Sequence, residues 1–78
     1  MEAGSVFELK SDLSTIEITV IEAKTANNKT AFLGIDWERG AFYAGIKSGE
    51  KTNYCNGDPR NPAYYAKETY NLLCLAIE

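Results

Sequence analysis

The chain has no histidine, and only two cysteines, two prolines and one tryptophan among its 78 residues. Without histidine the commonest general base near neutral pH is missing, and with it every histidine-based triad or metal site. The cysteines, Cys55 and Cys74, do not form a CxxC spacing, so the usual structural zinc ligands are missing too. Reach disfavours a disulfide between them. Cys74 falls about 18 Å along the C-terminal helix described below, and the segment from Cys55 to Asn61 would have to run back almost fully extended to meet it. Two free thiols are expected, with Cys74 buried or partly buried and Cys55 in a loop. No metal and no cofactor is expected.

Long hydrophobic runs are also absent. No stretch approaches the ~20 apolar residues that a membrane span requires. The opening Met1-Glu2-Ala3-Gly4-Ser5 lacks the basic and then apolar regions of a signal peptide, so a cytoplasmic location is expected. The sequon Asn28-Lys29-Thr30 is then a coincidence of sequence. Asn56-Gly57-Asp58 follows neither phosphate-loop pattern, GxxxxGK[ST] nor GxGxxG, and gives nucleotide binding no support.

A hydrophobic content of 45% is ordinary for a folded domain and argues against disorder. Length allows one domain, residues 1–78, with a single core. Val6 to Leu9 alternates as a short strand. Thr15 to Lys24 is the clearest strand, with Ile16, Ile18 and Val20 pointing one way and Glu17 and Thr19 the other. Ile21 breaks that alternation and marks a bulge or an apolar contact on the second face. Asn27-Asn28 supplies turn chemistry. Ala31 to Glu38 follows, with Leu33, Ile35 and Trp37 on one face and Phe32, Gly34 and Asp36 on the other. Arg39-Gly40 reverses the chain into Ala41 to Lys47, and Lys51 to Cys55 adds a short edge strand.

Asn61-Pro62 reads as an N-cap followed by proline at the first helical position. Ala66, Tyr70, Leu73 and Ile77, flanked by Tyr65, Thr69, Leu72 and Ala76, then form an apolar stripe at helical spacing. Tyr64, Lys67, Glu68, Asn71 and Glu78 fall on the opposite face. The expected fold class is α+β: an antiparallel β-meander of three to five strands packed on one face by a single C-terminal helix over about 61–77. The stripe should meet Ile16, Ile18, Val20, Leu33, Ile35 and Trp37 as its matching core.

Charge is unevenly placed. Residues 1–38 carry seven acids (Glu2, Glu8, Asp12, Glu17, Glu22, Asp36, Glu38) against three lysines, whereas residues 39–78 carry four acids against five bases. An acidic half repels phosphate backbones and attracts basic surfaces, which disfavours direct nucleic-acid binding. The plainest reading of these acids is a solvated face that keeps the protein soluble. Asp36 and Glu38, two apart, would project from one sheet face, and paired carboxylates in a shared pocket can do acid–base work. On an exposed strand neither is desolvated. Cys55 lies near a helix start and Arg60, both of which lower a thiol pKa, but no base is placed to activate it. Tyr54, Tyr64 and Arg60 bracket the loop before the helix, and Tyr43 lies on the less apolar face of its strand. Tyrosine with Asn, Gly and Arg is the composition of protein-binding surfaces.

The first functional reading is therefore a small acidic non-catalytic protein that binds, and inhibits or neutralises, a macromolecular partner with a basic surface. Its contact residues would be Glu17, Glu22, Asp36, Glu38, Tyr43, Tyr54, Arg60 and Tyr64, with carboxylates set where phosphates would otherwise sit. In size, charge and sheet-plus-helix economy the whole chain resembles small phage-encoded inhibitors of host defence, including anti-CRISPR proteins, and also immunity proteins and antitoxins. That resemblance implies a protein partner, no membrane, and the host cytoplasm as the location of a phage-encoded chain. A second reading is a structural or assembly module that homodimerises through its edge strand or helix. A third is a small enzyme or ligand-binding domain using Asp36, Glu38 or Cys55.

Overall fold

In a computed structural model, residues 1–10, 13–56 and 62–78 are described, with the backbone alone for Cys55, Asn56 and Pro62. The alternating segments become five strands: β1 (Val6–Lys10), β2 (Thr15–Ala26), β3 (Lys29–Asp36), β4 (Ala41–Ser48) and β5 (Lys51–Asn56). They pair antiparallel in chain order as one meander. The helix α1 (Pro62–Ala76) follows. The expected α+β class, meander and C-terminal helix are all observed. Cys55 lies within β5, opposite Ala44, rather than in a loop. The expected N-cap, Asn61, falls outside the described residues.

Local chemistry sets the turns. Ala26 pairs with Lys29, leaving Asn27 (φ 52°) and Asn28 (φ 63°) as the two central residues of the β2–β3 hairpin. Positive φ at both positions is what a tight I′ hairpin demands, and asparagine tolerates it. The β3–β4 reversal closes at Gly40, whose N–H donates to the Asp36 carbonyl at 2.8 Å.

Ile21 does mark a bulge. The β2–β3 register passes from Val20 opposite Gly34 to Glu22 opposite Leu33, leaving Ile21 unpaired in the ladder. One extra residue exchanges the faces of everything beyond it. Before the bulge, Ile18 packs with Leu9 and Tyr43. After it, Ala26 packs beneath the helix, and Glu22 and Lys24 pair with Lys67 and Glu78.

The sheet therefore holds two cores. One lies under the helix, where Ala66, Tyr70 and Ile77 cover Ala31, Leu33 and Ala44, with Phe42, Ile46, Leu73 and Cys74 at its margin. The other lies inside the curl of the sheet: Leu9, Ile18 and Tyr43, with Phe7, Ile16 and Ala41 against them. Phe7 of β1 meets Phe32 of β3 edge-to-face at 5.1 Å, and Lys47 of β4 places its Nζ 5.8 Å from the Phe7 ring. Strands that do not pair thus touch across the interior.

That curl needs glycine at two places. A methyl group at Gly34 would collide with Ile18 Cγ2, and one at Gly45 with the Asn53 carbonyl and the Phe32 ring. The absence of a side chain lets those two large residues be fully buried.

Three expectations about the core are corrected. Ile16, Ile18 and Val20 fill the interior of the curl rather than meeting the helix, because the bulge divides β2 between the two faces. Trp37 leaves the strand for the turn after β3 and is 73% exposed. Tyr65 and Leu72, placed on the flank of the buried stripe by their spacing, are exposed, Tyr65 by half and Leu72 by more, because the helix contacts the sheet through a narrower seam.

The helix is tied down at both its middle and its end. Lys67 pairs with Glu22, and its Nζ lies 5.2 Å from the Tyr70 ring. Burial first, and then a hydrogen bond with Cys74, push the Tyr70 hydroxyl pKa up. Cys74 carries a free thiol and is partly buried, as expected. At the C-terminus the Asn27 side-chain amide donates to the Ile77 carbonyl at 2.7 Å, and Lys24 pairs with Glu78. The C-terminal end of α1 therefore sits at the β2–β3 turn, and its start points toward the end of the sheet where β3 finishes. No helix among the described residues is long and apolar enough to cross a membrane.

Candidate protein-binding surface

The carboxylates divide into those the fold uses and those it leaves in water. Asp36, the last residue of β3, is 2% exposed. Its Oδ1 accepts from the backbone N–H of Glu38 (3.0 Å) and of Arg39 (3.3 Å), while Oδ2 accepts from Arg39 Nη1 at 2.9 Å. Burial pushes this carboxyl up, but the Arg39 guanidinium and the two backbone amides outweigh it and hold the pKa below the ordinary 3.8. Asp36 organises the β3–β4 turn from inside the protein. It is not available to a partner, and its charge reversal would test folding rather than binding. Nor does it share a face with Glu38, which stands exposed in the turn. The paired-carboxylate arrangement is thus not formed.

Glu22 is also engaged, half-buried beneath Lys67. Tyr43, expected at the surface, is 3% exposed because the less apolar face of β4 is the inside of the curl. Its ring meets Tyr54 at 5.7 Å and 61°. Tyr54 remains partly exposed and lines a 230 Å³ cleft with Glu8, Leu9, Lys10, Glu50 and Thr52, where the two sheet edges, β1 and β5, approach each other. Tyr64 is exposed on α1 and hydrogen-bonds Glu68, which pushes its pKa up. Arg60 falls outside the described residues, as does the Cys55 side chain.

Of the four acids singled out, Glu17 and Glu38 remain exposed and outside the ion pairs formed among the described residues. The structure adds two residues to them. Glu8 stands directly opposite Glu17 in the β1–β2 ladder, both exposed. Like charges directly opposite destabilise a sheet. Trp37 is the second addition. Glu17 and Trp37 each stand two residues beyond the pair Thr19–Ile35, so both emerge at the same end of the sheet. Glu8 and Glu17 thus stand paired on β1 and β2, and Trp37 and Glu38 follow, exposed, in the turn at the same end of the sheet. The alternation of β1 against β2 was the available signal for Glu8. No sequence signal removed Trp37 from the strand.

Among the described residues, no group of three or more Cys, Asp or Glu is arranged to hold a metal ion. Comparison with protein-family models, with curated proteins and with solved structures gives no match to the chain.

Proposed function

We propose that this is a non-catalytic binding protein whose acidic end, Glu8, Glu17, Trp37 and Glu38, occupies a basic surface on a macromolecular partner and blocks it. The observation that carries the reading is the exposed Glu8–Glu17 pair. Two carboxylates held side by side against their own repulsion gain when a lysine or arginine arrives between them. Trp37, exposed at the same end of the sheet, supplies the large, rigid apolar area typical of residues that dominate binding energy, and its indole face also suits a cation. Carboxylates on a rigid sheet can sit where a nucleic-acid-binding protein expects phosphates, and would be steered there by the same field. The reading thus extends to an inhibitor or neutralising partner of a protein that binds nucleic acid, of the kind phages direct against host defence.

The test is capture from a lysate of the native host, using the intact chain and a Glu17→Lys/Glu38→Lys variant as parallel baits. The expected result is a Lys/Arg-rich protein retained by the first, lost by the second, and released as salt is raised. Retention of the same protein by the doubly reversed chain at undiminished affinity overturns the proposal.

A further inference from the structure

The outward face of α1 is apolar where a solvent-facing helix is normally polar. Tyr64, Tyr65, Leu72 and Leu75 are all exposed on it, both leucines at 68%. Glu68 is the one charged residue among them, and its carboxylate is engaged by the Tyr64 hydroxyl. A 330 Å³ hollow lies against Glu68, Asn71, Leu72 and Leu75. We propose that this face binds a second copy of the chain, pairing two α1 helices antiparallel about a two-fold axis.

Three observations select a second copy as the occupant. The face is self-complementary under a two-fold. Its large rings lie toward the start of the helix and its leucines toward the end, so an axis between Glu68 and Leu72 sets Tyr65 of one copy against Leu75 of the other. The area is sufficient. Four side chains of this size and exposure present roughly 500 Å², so a symmetric pair removes at most about 1,000 Å² from water, which is the size of a weak, reversible interface rather than an obligate one. Charge also permits it. The exposed acids Glu8, Glu17 and Glu38 lie on β1, β2 and the β3–β4 turn rather than on this face, so Glu68, whose carboxylate the Tyr64 hydroxyl engages, is the one charge among the described residues that each copy brings to the pairing. A partner chosen for basic character would find no free carboxylate here. Antiparallel pairing would place the two acidic ends at opposite ends of the dimer, which makes it bivalent.

Sedimentation of the intact chain alongside a Leu72→Gln/Leu75→Gln variant tests this. Both leucines face solvent, and glutamine keeps helix propensity, so the circular dichroism should not change. The wild type is expected at twice its 8.6 kDa mass and to dissociate on dilution, with the variant monomeric under the same conditions. A wild type that stays monomeric at roughly 1 mM, or a variant that dimerises as well as the wild type, overturns the inference. The Glu17→Lys/Glu38→Lys protein separates this result from the proposed function. It should remain dimeric while losing the basic partner, whereas Leu72→Gln/Leu75→Gln should keep that partner as a monomer. A wild type that is monomeric yet needs both leucines to retain a different protein would assign the face to that protein and overturn self-association.

Discussion

Asp36 and Arg39 are joined three residues apart across the β3–β4 turn, one buried and the other half in water, by a 2.9 Å hydrogen bond. Because the folded-state pKa of Asp36 lies below its ordinary 3.8, the ionised carboxylate stabilises the fold above that value. The contribution is lost as pH falls through the folded pKa. Asp36→Asn is expected to cost about 2 kcal/mol at neutral pH, since a charged acceptor is replaced in a buried network. The stability gap between wild type and variant should close below pH 3.8. Urea unfolding of both proteins along a pH series checks this. A gap that stays constant to the lowest pH would show that the carboxylate charge is not what holds the turn.

The Asn27–Asn28 hairpin allows a cleaner comparison, because both residues have positive φ and only Asn27 caps the helix at Ile77. Glycine keeps the turn geometry at either position. Asn27→Gly should therefore lower stability by about 1 kcal/mol, the usual net worth of a side-chain hydrogen bond, with Asn28→Gly close to neutral. Thermal denaturation of the two variants decides it. Equal losses would mean that the amide contributes through the turn alone.

Gly34→Ala is expected to cost roughly 1–3 kcal/mol, because the added methyl meets Ile18 Cγ2 and the Thr19 carbonyl lies just behind. In an Ile18→Ala background the same substitution should cost less, since part of the obstruction is gone. A double-mutant cycle by chemical denaturation measures that coupling, and strict additivity would argue against contact.

These substitutions also mark how much of the fold was legible beforehand. Period-two alternation located the strands. Asparagine and glycine located the turns, and the break at Ile21 located the bulge. These are local properties, and local chemistry decides them. The face each strand buries is different, because it depends on the parity of residues across the bulge and on how far the sheet curls. Every residue from Ala31 to Asp36 is buried, so β3 has no solvent side for an alternation argument to find. Tyr43 is buried on the less apolar face of β4 because that face is the inside of the curl, against Leu9 and Ile18. Asp36 was misplaced because its partner is supplied by the turn, not by a neighbouring strand. Of the proposed binding end, Glu17 and Glu38 are legible as charge. Glu8 and Trp37 join them only through strand register.

The Glu8–Glu17 pair makes stability and binding move in opposite directions under one substitution. Glu8→Lys turns a repulsive cross-strand pair into an attractive one on an exposed, paired edge, and should raise stability by about 0.2–1 kcal/mol, less at high salt. The same change removes one carboxylate from the acidic end and sets a lysine against an arriving cation, so affinity for a basic partner should fall. Denaturation and partner titration on one preparation read both effects. Ordinary surface optimisation would improve stability and leave binding alone, whereas a charge pair retained for recognition must lose binding as the repulsion is relieved. If Glu8→Lys stabilises the protein and binds the partner as tightly as before, the pair is a solvated accident of the strand, and the acidic end is not where recognition occurs.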